Sequence, residues 1–153
     1  TMKILIAVDD TKGSKKAFTF GSNICACMQP DNVVLVYVEE FEGQSLITKM
    51  LGNAELETLE EVLEGTEYQR ALDEKAEKIL DNFKNALENK GVKTVKTVIK
   101  KGHPAEEILK TAKKEEADMI IVGSRGKRVS HTFMGSVSRE VVNGADVPVL
   151  IVK

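Results

Sequence analysis

Five short apolar runs punctuate the chain, and most of the segments between them repeat apolar residues every three or four positions. Residues 3–8 (K-I-L-I-A-V), 33–38 (V-V-L-V-Y-V) and 119–122 (M-I-I-V) are apolar almost throughout, the pattern of strands buried on both faces. Residues 92–99 alternate instead, with Val92, Thr94, Lys96 and Val98 set against Val95, Thr97 and Ile99. That mixed character predicts a strand near a sheet edge. The last run, from Val147 to Val152 (V-P-V-L-I-V), contains Pro148, which has no N–H for a ladder and belongs on an edge strand or at a strand start.

Between these runs the period changes to that of a helix. Ala17, Phe18, Gly21, Ile24, Cys25 and Met28 share one face, with Gly13-Ser14 expected to supply the turn and cap and Pro30-Asp31-Asn32 the stop. Leu72, Ala76, Ile79, Leu80, Phe83 and Leu87 make a longer stripe closed by Lys90-Gly91. Pro104 suits the first position of a helix carrying Ala105, Ile108, Leu109 and Ala112. Val137, Val141, Val142 and Ala145 line a last helix, closed by Gly144-Ala145-Asp146. Strand, helix and strand with continuous apolar strands form right-handed βαβ units. The pattern predicts a single α/β domain over residues 1–153, an open doubly wound five-stranded parallel sheet with helices on both faces.

Residues 39–67 interrupt the alternation as a variable segment. Leu46, Ile47, Met50 and Leu51 form a small apolar cluster, followed by Glu55, Glu57, Glu60, Glu61, Glu64 and Glu67 with no intervening base. The acids read either as a solvated helix face or as a cover or acidic partner surface.

Ligands of doubly wound sheets bind beyond the carboxyl ends of the strands, at the switch point. Asp9-Asp10, Val38-Glu39 and the loop after Val122 fall at such ends. That loop, V-G-S-R-G-K-R-V-S-H-T-F-M-G-S-V-S over residues 122–138, holds three glycines, hydroxyls at Ser124, Ser130, Thr132 and Ser136, and the cations Arg125, Lys127 and Arg128. Glycines let backbone amides approach an anion, and a helix opening at Gly135-Ser136 adds unpaired N–H donors and partial positive charge. A tight strand-to-helix crossover with a capping serine accounts for the same glycines without a ligand. The anion has one point in its favour: three cations in a short loop repel one another unless something negative lies between them.

Gly123-Ser124-Arg125-Gly126 followed by Gly135-Ser136-Val137-Ser138 resembles the signature of the universal stress protein family, Gly-x2-Gly-x9-Gly-Ser/Thr. The second gap here is eight residues, Lys127 to Met134. The resemblance covers nearly the whole chain and implies an adenine nucleotide alpha hydrolase-like fold with strand order 3-2-1-4-5. It also implies an ATP or related adenine-nucleotide site, with Gly123, Arg125, Gly126, Gly135, Ser136, Val137 and Ser138 around the phosphates. Asp9 would lie beside the ribose and the metal–phosphate region, with Mg2+ or Mn2+ arriving with the phosphates. The backbone at Val38 would meet the adenine, and Ala7 and Val8 would wall the pocket. The expected role is sensing or signalling in the stress response by a homodimer paired through its last strand, with at most slow ATP hydrolysis. A nucleotide-free interaction protein is the alternative that the shortened gap favours.

Composition narrows the partners. With 22 Lys plus Arg against 24 Asp plus Glu, the net charge of −2 supplies no field for nucleic acid or an acidic membrane. No apolar run approaches the ~18 residues of a membrane span, and no signal-peptide pattern opens the sequence, so a cytoplasmic protein is expected. Cys25 and Cys27 stand two apart on a helix, facing different directions, and are expected to be unpaired. His103 and His131 lack a neighbouring nucleophile or orienting carboxylate, and neither is expected to be catalytic. There is no Gly-x-x-x-x-Gly-Lys-Ser/Thr loop, no Gly-x-Gly-x-x-Gly fingerprint and no Gly-x-Ser-x-Gly elbow.

Overall fold

A computed structural model describes residues 2–39, 52–124 and 134–153. The cluster at Leu46, Ile47, Met50 and Leu51 lies outside these residues. In chain order the elements are β1 (Lys3–Ala7), α1 (Lys12–Met28), β2 (Asn32–Glu39), α2 (Asn53–Leu63), α3 (Glu67–Asn89), β3 (Val95–Lys101), α4 (Pro104–Lys114), β4 (Met119–Gly123), α5 (Ser136–Gly144) and β5 (Val149–Val152). The strands form one parallel sheet in the order β3-β2-β1-β4-β5, as expected.

Alternation along each strand divides the core into two layers. Ile4, Ile6, Val33, Leu35, Tyr37 and Ile121 face α1 and α3, against Ala17, Phe18, Cys25, Ala76, Leu80 and Leu87. Leu5, Val34, Val36, Ile120 and Val122 face α4 and α5, against Ala105, Ile108, Ala112 and Val141. Both faces of the central strands are covered, which is why their sequences are apolar throughout. The rings of Phe18 and Phe83, 4.3 Å apart, join α1 to α3. Met28, counted in the α1 stripe, is exposed at the helix end.

Three boundaries differ from expectation, each for a local reason. The cap of α1 is Thr11, whose hydroxyl accepts the Ser14 amide, so Gly13 and Ser14 lie inside the first turn. The strand β3 starts at Val95, not Val92. Gly91, at φ +89°, ends α3 in a left-handed residue, and the amides of Gly91 and Val92 bond the carbonyls of Glu88 and Leu87. That double closure spends Val92 on the helix end, where it packs in the core beside Leu87. β5 begins at Val149; Pro148 stands just before it and contributes its carbonyl to the Ile120 amide. The mixed-pattern strand β3 is indeed at one edge, and β5 at the other.

Leu80 is fully buried between α3 and the sheet. Leu80→Ala is expected to destabilise the fold by about 2–5 kcal/mol through lost burial and the cavity left behind. The urea midpoint should fall with an unchanged slope, and an unchanged midpoint would contradict this core assignment.

Candidate functional site

The carboxyl ends of β1, β2 and β4 meet at one mouth of the sheet. Register pairs Ala7 with Val36 and Ile6 with Ile121, so Asp9, Val38 and Ser124 follow within two or three residues of paired positions. The Val8 amide continues the ladder to the Val36 carbonyl. Asp9, half-buried, then turns the chain into α1: its amide donates to Ser14 Oγ at 2.6 Å, and its Oδ1 accepts the Thr11 amide at 2.7 Å. Its carboxylate thus serves the turn, and it stands where a ligand at the mouth would meet it. Asp10, next along, pairs with Lys75 of α3 at 2.8 Å on the surface.

Gly123 is glycine for a steric reason that needs no ligand. A Cβ built there would lie 2.7 Å from the Gly13 carbonyl oxygen, so the first turn of α1 presses directly on the end of β4. The loop leaving β4 is drawn together at its base. The Ser124 carbonyl accepts the Gly135 amide at 2.6 Å and is within reach of the Ser138 hydroxyl at 3.1 Å. The Ser138 hydroxyl also reaches the Gly135 carbonyl at 2.9 Å, so it is engaged in closing the loop. The residues between, including the expected ligands Arg125 and Gly126 and also His131, lie outside the described residues.

The helix α5 opens at the mouth with Gly135 as its N-cap, in extended backbone. Glycine brings no side-chain acceptor, so the first-turn amides of Ser136, Val137 and Ser138 receive no cap from it. They are the donors that an anion would take up. Among the described residues no group of three or more His, Cys, Asp or Glu could hold a metal by itself. One carboxylate, Asp9, fits a hard cation that draws its remaining ligands from phosphates and water.

One group at this end was located from the sequence but given no role of its own. Glu39, the last residue of β2, is 4% exposed and lies beneath α3. Gln69 Nε2 lies 3.3 Å from its Oε1 and 2.8 Å from Asp73 Oδ1. Burial first, and then the Asp73 carboxylate, push the Glu39 carboxyl up to about 7, against the opposing pull of Lys101. Burial works against the Asp73 charge too, but hydrogen bonds from Glu39 and Gln69 outweigh it and hold Asp73 below the usual range. The signal was present: Glu39 continues the two-residue alternation of Val33, Leu35 and Tyr37 onto the same face. Val38, by contrast, packs on the opposite face with Val98 and Val36. Cys25 is buried, which pushes its thiol up to about 11 and leaves it unreactive, while Cys27 is exposed.

A parallel sheet of order 3-2-1-4-5 with an aspartate and a glycine-capped helix at its mouth defines a doubly wound protein with an anion-competent switch point. Comparison makes the class specific. The Universal stress protein family profile matches residues 1–153, and the chain belongs to that family. It is 36% identical over 130 residues to universal stress protein MJ0577 of Methanocaldococcus jannaschii, covering 82% of this chain and 79% of that protein. The solved structure of MJ0577 superposes with a TM-score of 0.78 at 31% identity, covering 99% of this chain and 95% of that one. A universal stress protein in complex with cAMP (TM-score 0.68, 19% identity, 99% and 97% covered) shares the fold. So does an Arabidopsis thaliana family member with AMP bound (TM-score 0.68, 22% identity, 100% and 92% covered).

Gly123→Ala is expected to force the β1–α1 turn away from β4, costing about 1–3 kcal/mol. Thermal unfolding in the absence of any ligand reads this out. A variant as stable as the parent would mean that Gly123 is not held by the Gly13 carbonyl.

Proposed function

We propose that this chain binds ATP or a related adenine nucleotide at the carboxyl edge of β1, β2 and β4. Occupancy would alter a surface that partners in a stress response read. The observation that carries this is the glycine-capped first turn of α5, which opens beside the closed base of the β4 loop. Backbone amides at a helix N-terminus prefer a phosphate to water because the helix dipole and several charge-assisted hydrogen bonds act together. At about 1.5–3 kcal/mol each, three or four such bonds support micromolar affinity. The AMP and cAMP complexes of two proteins of the same fold support an adenine base over other anions.

In this arrangement Ser136, Val137 and Ser138 offer amides to the phosphates, and Gly123, Arg125, Gly126 and Gly135 complete the phosphate-binding set. Ala7 and Val8 wall the base, and the Val38 backbone reads its edge. Asp9 would hold magnesium or manganese, which would neutralise phosphate charge. The chain is read as a binder, not a catalyst, because slow or absent turnover suffices for a sensor. It works in the cytoplasm as a homodimer. The edge strand β5 supports that pairing: Val149, Leu150, Ile151 and Val152 stay only half-buried, and an apolar edge of this kind is protected by a second copy. No described helix is long and apolar enough to cross a membrane.

Mass spectrometry of freshly purified, denatured protein tests the proposal directly. Co-purified adenine nucleotide, or a thermal upshift on adding Mg-ATP, is the expected result; neither one appearing favours the nucleotide-free interaction protein, and rapid ADP release favours a hydrolase. The first-turn assignment has its own test in Gly135→Asp. An N-cap aspartate satisfies the amides of Val137 and Ser138 internally and repels phosphate. Stability should hold or rise while nucleotide affinity falls at least tenfold. Undiminished affinity in that variant would move the phosphates elsewhere.

A further inference from the structure

Glu39 is a buried carboxyl at the mouth that nucleotide binding does not use. The amide of Gln69, itself buried, stands against two carboxylates at once: 3.3 and 3.5 Å from the two oxygens of Glu39, and 2.8 Å from Asp73 Oδ1. A side-chain amide neither gains nor loses a proton near neutrality. It supplies two N–H donors and no positive charge. With both carboxylates ionised, two negative charges repel, and the one on Glu39 is held out of water. With one proton between them the repulsion vanishes, and an O–H···O⁻ bond replaces it.

Among the described residues, the other charged group acting on the pair is Lys101 of β3, the register partner of Glu39. Lys101 also acts on Glu60 of α2, where Glu107, Glu57 and His103 stand nearby and where burial raises the Glu60 carboxyl. One cation is therefore shared between two acidic groups, Glu39 with Asp73 and Glu60 with its neighbours, and it does not neutralise Glu39 alone.

We propose that Glu39, Gln69 and Asp73 form a proton-operated latch between the end of β2 and the first turns of α3. The latch is closed while the two carboxyls hold one proton between them and released when that proton passes to water. Asp73 keeps its charge in both states, and Glu39 is the group that titrates. Release frees the start of α3, and with it α2, which precedes it across the short turn at Gly65 and Thr66. The sign follows from linkage. Glu39 binds its proton more tightly in the folded protein than the ~4.3 of an unfolded glutamate, so the stabilisation is full below that value. It is lost as pH rises towards about 7, the range in which the latch opens.

Amide hydrogen exchange on the full chain at pH 6 and pH 8, corrected for the intrinsic rate, tests this. Protection of residues 67–76 is expected to fall about tenfold or more relative to residues 77–89 as pH rises. In Glu39→Gln, where no proton can leave, that relative fall should disappear. An equal fall in this variant, or none in the parent, overturns the latch. Should Glu39→Gln not fold, the carboxyl carbon of Glu39 in the 13C-labelled parent decides by its NMR titration. A midpoint near 7 that drops in Asp73→Asn supports the latch, and a midpoint in the ordinary glutamate range rules it out.

Discussion

The geometry of the mouth depends on the register of β1 between β2 and β4. This register is not secured by hydrophobic patterning, because Ile4, Leu5 and Ile6 are buried on both faces of the sheet. A one-residue slip would still bury apolar side chains, unlike a slip in a half-solvated sheet. The pins are polar and lie at the ends. Asp31, just before β2, accepts the Met2 amide at 2.7 Å, and Asp118, just before β4, accepts the Lys3 amide at 2.8 Å. The amides of both aspartates return to β1, to the carbonyls of Met2 and Lys3. At the other end, Gly13 against Gly123 fixes how closely α1 seats on β4. With the strands pinned at both ends, Asp9, Val38 and Ser124 arrive at the same level, where a bound ligand would meet three strands together.

Two carboxylates at that level lie in different environments and so take different chemistry. Asp9 is half-buried and holds the Thr11 amide, so its carboxylate can face a cation without a large desolvation cost. Glu39 is enclosed beneath α3 and shares one neutral amide with a second acid. The first suits a nucleotide with its counter-ion, the second a proton. They stand on neighbouring strands, so a pH-dependent α3 and a nucleotide-dependent mouth would share one scaffold.

Much of this is legible in the sequence. The continuous runs at β1, β2 and β4, the alternating run at β3 and the helical stripes specify a doubly wound α/β domain. Each depends only on which local period buries apolar atoms. The glycines and hydroxyls around residues 123–138 marked the end of the sheet at which to look, and the family resemblance supplied the strand order that the sheet adopts. That a helix opens at Gly135-Ser136 was readable for the same local reason, but its cap was not: the sequence offered a capping serine, and α5 takes Gly135, which leaves the first-turn amides without a side-chain acceptor.

What the chain's own order of residues determined was therefore the set of elements and the glycine-rich loop between two of them, because both follow from interactions between near neighbours. Tertiary structure alone decided which partners the polar groups would find. Ser14 spends its hydroxyl on Asp9, Ser138 closes the loop base, and Gly123 makes room for a carbonyl 110 positions earlier in the chain. Glu39 meets Gln69 and Asp73 only because α3 folds back over β2. A hydrogen bond or a steric contact depends on ångström-scale placement of distant residues, and no periodicity encodes that.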